Sequence, residues 1–479
     1  MPRKIPRLLW LAIPLAYAVY LHGLGATGLI GPDEPRYAFI SRAMAQSGDW
    51  ITPRLWGSAW FEKPVLLYWM EASAFRLGIS GDLAPRLPVA LLALAFLVFY
   101  WWILRREFGC RVAWIASLIL GTSGMWVGYS HAGVTDIPLT ACFSVAMLVA
   151  LPWVARRDTR SLPLAAALFG AAMLAKGLVP LALAAPLVLG RHVRDWLRPR
   201  VVLPFLLVAG PWYILCYARN GWPFFHELIV VQHFSRVTSD ALQHVQPAWF
   251  YLPILPGALL PWTPLLLLGV TRETLRDRRK LFLLVWPLWT LLVFSVSINK
   301  LAGYVLPALP ALAALLAIRL DEVPRARWVL AACGALTVAF PIAARLLPAA
   351  LVSGIKHAPR PEFEAAWLVA IAAAIAAWVL DHRGKRLQAV AAVAVAAGLG
   401  IIQLTESAAA PIDAAASARA LGREVALHPG EVCLAGVKRN WDYGLAYYAG
   451  ARLPECHAEA RPWEVAPTPR DGAVLRPKP

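Results

Sequence analysis

Charge is scarce in this chain. Asp, Glu, Lys and Arg together make up 15% of its 479 residues, while 59% are hydrophobic and the mean hydropathy is +0.58. A soluble domain usually carries about a quarter of its residues as charges, so this composition argues against a water-soluble fold. Acids are the scarcer sign: 28 Asp and Glu face 46 Lys and Arg, for a net charge of +18. Such a surplus would suit nucleic acid if it formed a stripe on a soluble face, but the basic residues sit in short clusters between apolar stretches, and no nucleic-acid partner is expected. Cysteine is also scarce, with six residues and no C-x-x-C or Cys/His ligand spacing, which argues against structural zinc. No acidic pair has the spacing that demands a metal, so no metal ligands are assigned and metal dependence is left unpredicted, and no cofactor is expected. Cys142, Cys216 and Cys333 fall in apolar stretches and read as small buried hydrophobes, whereas Cys433 and Cys456 lie in the polar tail and pair if that tail is oxidised.

What the chain does have is a series of Leu-, Ala-, Val- and Trp-rich runs of the length that crosses a bilayer, about twenty residues each. They fall near residues 8–29, 85–104, 111–129, 136–154, 162–177, 178–190, 201–219, 249–270, 281–298, 301–319, 327–347, 365–380 and 387–404. Hydropathy therefore predicts an all-α polytopic membrane bundle of about thirteen helices. The charges test this count independently, because one missed helix would invert every later loop. With Arg3, Lys4 and Arg7 placed on the cytoplasmic side, every second loop is basic: Arg105, Arg106 and Arg111; Arg156, Arg157 and Arg160; Arg191, Arg194, Arg198 and Arg200. The pattern continues through Arg272 to Lys280, Arg319 to Arg327, and Arg383 to Arg386. The intervening short loops are nearly free of Lys and Arg, as the positive-inside bias requires. The first run is followed by Gly31-Pro32-Asp33-Glu34-Pro35 rather than by a small-residue cleavage site, so it is expected to remain as an anchor.

Three segments on the opposite, non-cytoplasmic side are too long to be turns: 31–84, 220–248 and the tail from about 405. The expected division is a membrane domain over 1–404 and a small α/β domain over 405–479. Within the first segment, Val65 to Leu77 reads as a helix lying in the interface plane. Within the tail, Ala414 to Leu427 reads as a helix, Glu431 to Val437 as a strand and Asp442 to Tyr448 as a second helix. The end, with Pro462, Pro467, Pro469, Pro477 and Pro479, reads as disordered.

Ionisable side chains at membrane depth are costly, so those at the non-cytoplasmic span ends are the informative ones. Asp33, Glu34 and Arg36 follow the first span, Glu62 and Lys63 precede the interfacial helix, and His131 and Asp136 bracket the third and fourth spans. Lys176, Lys300 and Tyr304 lie at later span ends on the same side. Each has a plain alternative: Asp33 and Asp136 as helix caps, Lys63 as a snorkelling lysine, His131 as an interfacial histidine, Lys176 as the mark of a span end. Together they supply carboxylates to orient or deprotonate an attacking oxygen and cations to stabilise a departing phosphate, which is what group transfer from a lipid phosphate requires.

Gly31-Pro32-Asp33-Glu34-Pro35-Arg36-Tyr37-Ala38, Ser47-Gly48-Asp49-Trp50 and Phe61-Glu62-Lys63-Pro64-Val65-Leu66-Leu67-Tyr68-Trp69 resemble the first outer loop of the family that includes lipid A aminoarabinose transferases and protein mannosyltransferases. Thr135-Asp136-Ile137-Pro138, Ala175-Lys176-Gly177 and Lys300-Leu301-Ala302-Gly303-Tyr304-Val305-Leu306-Pro307 resemble later blocks of that family in the same order. The resemblance implies a GT-C fold, an undecaprenyl-phosphate sugar donor, inversion at the anomeric carbon, and an active site at the periplasmic face of a bacterial inner membrane. It implies Asp33 as the first-loop carboxylate, Asp136 as the second acid, and Arg36, Lys63, Lys176, Lys300 and Tyr304 as holders of the carrier phosphate. His233, Arg236 and His244, with Glu34 and His131, are expected to shape the cavity.

The expected reaction is transfer of 4-amino-4-deoxy-L-arabinose to lipid A. The same chemistry with another sugar, or with a protein or glycan acceptor, is the alternative within the class. A polyprenyl-linked sugar transporter is the alternative from another class, and it would be expected to show broken polar helices at midplane and repeated halves, which this sequence lacks. A membrane scaffold would not need Asp33, Lys63 and Asp136 on one face.

Overall fold

A computed structural model describes residues 8–188, 192–235, 245–459, 461–468 and 472–478. In chain order the helices used below are α1 (Leu8–Tyr20), α2 (Asp33–Ser47), α3 (Leu66–Arg76), α4 (Leu83–Phe108), α5 (Cys110–Gly121), α6 (Gly124–Ser130), α7 (Asp136–Val149), α8 (Leu162–Lys176) and α9 (Pro199–Asn220). They continue with α10 (Arg278–Val296), α11 (Leu309–Glu322), α12 (Arg327–Ala335), α13 (Ala339–Ser353), α14 (Trp367–His382) and α15 (Arg386–Ala416), and in the tail α16 (Arg419–Val425) and α17 (Arg439–Ala449).

Among the described residues seven helices are long and apolar enough to cross a membrane, and eight if the bent pair α5 and α6 counts as one span. All thirteen apolar runs expected from the sequence are at least partly helical, several of them as shorter or interrupted pieces. The helices α8 and α14, with 15 and 16 residues, are shorter than the twenty or so residues of a typical span, and α1 is described from Leu8. The run over 178–190 breaks into Val179–Leu183 and Ala185–Val188, and the run over 249–270 into Tyr251–Ala258 and a 3-10 turn over Thr263–Leu268. Proline explains both interruptions, since Pro180, Pro186, Pro253, Pro256, Pro261 and Pro264 have no N–H to give to a helical ladder.

The break that matters most for the site separates α5 from α6, which turn through 64°. Thr122 and Ser123 donate their hydroxyls back to the carbonyls of Leu118 and Ile119, both at 2.6 Å, and the Gly124 N–H leaves the helix to donate to the Leu260 carbonyl at 2.8 Å. Hydroxyl groups and a neighbouring strand of chain thus satisfy backbone that the bend exposes. Close helix packing elsewhere relies on small residues: a side chain on Gly334 in α12 would meet the backbone of Ala373 and Ala374 in α14 within 2.7 Å. Trp126, Trp262 and Trp286 are fully buried at the centre of the bundle.

The 31–84 segment is structured rather than loop-like. It contains α2, a hairpin of β1 (Arg54–Leu55) and β2 (Ser58–Ala59), and α3. The hairpin turns through Trp56 and Gly57, both at positive φ as a two-residue turn of this hand requires. The helix α3 packs against α2 and α4 and buries Leu67, Tyr68, Glu71, Ala72 and Ala74, so one of its faces belongs to the bundle. In the 220–248 segment, short helical pieces cover Trp222–Phe225 and His226–Ser235.

The tail departs from its expected outline. The helix α15 runs through Ala416, so the boundary set at 404 falls inside a helix. Helices α16 and α17 replace the expected pair with shifted ends, and the single expected strand becomes a three-stranded sheet, β3 (Val432–Leu434), β4 (Trp463–Pro467) and β5 (Ala473–Pro477). The strands β3 and β4 pair in parallel, and β4 and β5 antiparallel. The proline-rich end is therefore ordered into strands over 463–467 and 473–477. Pro462, Pro467 and Pro477 stand beside or at strand ends, where no ladder N–H is needed, while Val465 and Ala466 are buried. Cys433 in β3 is joined to Cys456 by a disulfide.

Candidate functional site

A cavity of about 960 Å³ opens where α2, α6, α7, α8, α13 and α15 converge. Chain direction explains the convergence. Asp33 is the first residue of α2, Asp136 is the first of α7, and Lys176 is the last of α8, which packs along α7. The bend before α6 brings Tyr129 and His131 to the same place.

Two acid–base groups meet there. On one side the Lys176 ammonium donates to Asp136 Oδ1 at 2.8 Å and lies 4.9 Å from the centre of the Tyr304 ring. On the other, Lys63 Nζ donates to Glu62 Oε1 at 2.8 Å, while Arg36 Nη2 bridges Glu62 Oε2 at 2.9 Å and Asp33 Oδ1 at 2.5 Å. The Asp33 side chain remains half exposed, whereas Arg36 and Lys63 are nearly buried. Burial disfavours the Arg36 charge, but Tyr37, Glu62 and Asp33 around it outweigh that cost and raise its pKa. Tyr37, Trp60 and Tyr443 place their rings within 5.6 Å of the same guanidinium. Burial first, and then the negative charges of Asp33 and Glu62, push the Tyr37 hydroxyl well above its usual range, so it stays protonated and keeps an O–H to donate.

Beneath this pair Glu34 is fully committed. Its Oε1 accepts from Arg86 Nε at 2.7 Å and Gly133 N at 2.9 Å, and its Oε2 accepts from Arg86 Nη2 at 2.8 Å and Ile30 N at 2.9 Å. Arg86 in turn donates to the carbonyls of Thr27 and Gly28 at 2.7 and 2.9 Å. The ion pair, 4% exposed on each side, knits the start of α2 to α4 and to the turn before α7. Glu34 thus lines the cavity floor as a structural anchor beside Asp33. His131 also lines the cavity, with Nδ1 2.9 Å from the Val127 carbonyl.

Of the residues singled out from sequence, Asp33, Glu34, Lys63, His131, Asp136, Lys176 and Tyr304 come together in this cavity. Arg36 stands behind Asp33 rather than on the wall. Lys300 is 5% exposed and donates to the carbonyls of Ser297 and Gln246 at 2.5 and 2.8 Å, tying down the chain at the end of the second outer segment. Arg236 and His244 lie outside the described residues, as does the side chain of His233. Arg86 and Tyr129 went unnoticed in the sequence. An arginine one turn inside an apolar span is expensive without a partner, and that expense was the available sign for Arg86. Gly303 carries a sign for Tyr129 only in the structure, where a Cβ on Gly303 would come within 2.5 Å of the tyrosine hydroxyl.

The remaining wall is apolar: Phe340, Leu347 and Leu351 from α13 face Ile401, Leu404 and Ile412 from α15. A ligand with an anionic head and a long apolar tail matches this division. The tail domain closes the polar rim from outside. Tyr448 accepts from Leu29 N at 2.8 Å and donates to Asp82 at 2.6 Å, Arg419 reaches Asp82 and Asp413, and the Trp56 ring stacks on Tyr443 at 5.4 Å. Among the described residues no group of three or more His, Cys, Asp or Glu side chains is arranged to hold a metal.

Comparison with known proteins adds to this geometry. Residues 62–214 match the family described as dolichyl-phosphate-mannose-protein mannosyltransferase. The undecaprenyl phosphate-alpha-4-amino-4-deoxy-L-arabinose arabinosyl transferase of Pectobacterium atrosepticum is 33% identical over 315 residues, covering 62% of this chain and 56% of that protein. The protein of the same name from Pseudomonas aeruginosa is 34% identical over 316 residues, with the same coverage of 62% and 56%. The matched region thus spans little more than half the length of these relatives. Across nearly the whole chain, the crystal structure of ArnT from Cupriavidus metallidurans bound to undecaprenyl phosphate superimposes with a TM-score of 0.76 at 28% identity, covering 96% of this chain and 93% of that one.

Proposed function

We propose, from the chain's similarity to the mannosyltransferase family and to the aminoarabinose transferases, that it is a GT-C membrane glycosyltransferase that transfers 4-amino-4-deoxy-L-arabinose from undecaprenyl phosphate to lipid A at the periplasmic face of a bacterial inner membrane. The observation that carries this reading is the two-part cavity, with carboxylates and ammonium groups at one end and the apolar faces of α13 and α15 along the other. The carrier phosphate sits between Lys63 and Lys176, and its isoprenoid chain lies along Phe340, Leu347 and Leu404. Asp33, the most exposed acid of the polar network, orients the attacking acceptor oxygen and takes its proton where that oxygen is a hydroxyl. The new bond forms from that oxygen to the anomeric carbon, the bond from the anomeric carbon to the phosphate oxygen breaks, and the two lysines stabilise the charge left on undecaprenyl phosphate. Asp136 holds Lys176 in place for that task. Arg36 fixes Asp33 and Glu62 in their positions, and Tyr304 covers Lys176.

The test is transfer of label from radiolabelled undecaprenyl-phosphate aminoarabinose to lipid A by purified protein in proteoliposomes. Asp33→Ala and Lys63→Ala are each expected to lower the rate at least about a hundredfold, the scale on which a single charge-stabilising group acts. Carrier that binds but is never consumed would mean another sugar or acceptor. Carrier that does not bind even to the unaltered protein would end the lipid-phosphate reading.

A further inference from the structure

At the other end of the bundle lies a second concavity, of about 350 Å³, between the end of the α7 span, Pro186 and Leu187, His192 and the start of α10. The span from Asp136 to Arg156 has 21 residues, so this pocket lies about 30 Å along the bundle from Asp136 and the large cavity. Its polar lining is entirely basic: Arg157, His192 and Arg278, with no carboxylate. That imbalance is specific to these three residues. Three nearby acids are taken by other arginines: Glu107 by Arg156 at 3.3 Å and Arg279 at 3.9 Å, Asp195 by Arg198 at 2.6 Å, and Asp277 by Arg279 at 3.0 Å. The fourth, Asp158, is outside the pocket lining and caps the turn that follows by accepting from the Arg160 N–H at 3.0 Å. Among the described residues no ion pair involves Arg157 or Arg278. Arg157 is also one of only two non-glycine residues described with positive φ, at 59°, a conformation that costs about 1 kcal/mol or more and places its guanidinium 4.7 Å from the centre of the Trp153 ring. The rest of the lining is apolar and belongs to helix faces that run into the membrane-spanning region, chiefly Leu281, Phe282 and Val285 of α10.

From this arrangement we propose that the pocket binds one anionic phospholipid, its phosphate held by Arg157 and Arg278 and its acyl chains laid along Leu281, Val285 and Leu187. An indole at the membrane boundary, uncompensated guanidinium groups above it and an aliphatic groove below match the three parts of such a lipid. A free phosphate would use the arginines and leave the groove empty. The site is separate from the large cavity and does not depend on the transferase reading.

The test is native mass spectrometry of the full chain after stepwise delipidation in detergent, with phosphatidylglycerol or phosphatidylethanolamine added back. One phosphatidylglycerol is expected to be retained per protein and phosphatidylethanolamine to be lost. Arg157→Gln and Arg278→Gln are each expected to weaken retention about fivefold, and together about twenty-five-fold, while the Lys variants restore most of it. An unchanged melting temperature of the Gln variants separates loss of binding from loss of fold. Equal retention of both lipids, or retention indifferent to the Gln variants, would overturn the proposal. Displacement by millimolar inorganic phosphate as effective as by phosphatidylglycerol would overturn it in favour of a soluble anion.

Discussion

The two ends of the bundle carry charge in different amounts and use it in opposite ways. At the end facing away from the large cavity most arginines are solvated and loosely paired: Arg111 with Asp321, Arg156 with Glu107 and Arg198 with Asp195 all involve arginine side chains at least 49% exposed. Where a charge is buried there, it closes onto carboxylates and nearby backbone carbonyls, as Lys280 does onto Glu273 and Glu322. Arg386, for example, pairs with Asp381 and donates to the carbonyls of Leu320 and Val323. At the cavity end there are few charges, but Asp33, Lys63, Asp136 and Lys176 turn towards one shared space and lean on a buried pair beneath them. Charge number therefore reports topology, and convergence on a cavity reports chemistry.

The comparison is broken most severely by removing the buried pair. Arg86→Ala leaves the Glu34 carboxylate with two backbone N–H partners and no cation in a nearly dry position, a change expected to cost about 3–5 kcal/mol of stability. Thermal unfolding in detergent should show the loss. Replacing both partners, as in Glu34→Gln with Arg86→Met, should recover much of it, because no unpaired charge remains. If Arg86→Ala were as stable as the unaltered protein, the claim that the floor of the cavity is electrostatically locked would be wrong.

A smaller effect comes from Glu71, one turn along α3 from Tyr68. It is fully buried, and among the described residues the Ser41 hydroxyl donates to it at 2.7 Å as its one hydrogen-bond partner. Burial raises its pKa well above the usual glutamate range, the Ser41 hydrogen bond opposes the rise, and nearby Glu34 adds to it. The folded protein therefore holds a proton that the unfolded chain has already released. Between the two pKa values stability falls as pH rises, by about 1.4 kcal/mol for each pH unit. Glu71→Gln removes this dependence, so its stability relative to the unaltered protein should grow as pH increases above the ordinary glutamate range. Parallel unfolding midpoints for the two proteins across pH 5 to 8 would mean that Glu71 is ionised.

Much of this contrast was legible before the fold was known. Alternation of basic and charge-poor loops marks the two ends, and the run from Gly31 to Tyr37, with Asp136, Lys176 and Tyr304, identifies the family that the comparisons bear out. Hydropathy located thirteen apolar runs, all of them at least partly helical, but could not show where prolines interrupt a run such as 249–270. The tail misled for a related reason. Five prolines suggested disorder because composition does not say whether a proline stands inside a strand or at its end. Glu34 and Arg36 illustrate the limit at the site itself. One turn of helix separates Asp33 from Arg36, and only packing decides that Asp33 opens to the cavity while Glu34 and Arg36 brace it.

The smallest effect is expected at the far end, from Arg111→Ala. Arg111 donates to Asp321 across the gap between α5 and α11, a contact that looks as direct as the Arg86–Glu34 pair. The arginine side chain is 60% exposed, however, so water screens the attraction and the ordering of two side chains offsets what remains. The loss should be no more than about 0.5 kcal/mol and should shrink further in 0.5 M salt. Unfolding measurements on Arg111→Ala and Arg86→Ala side by side set a several-fold ratio between an exposed single-contact pair and a buried two-contact pair. A loss at Arg111 comparable to that at Arg86 would mean that the far end is electrostatically built after all, and that loop charge there does more than orient the chain in the membrane.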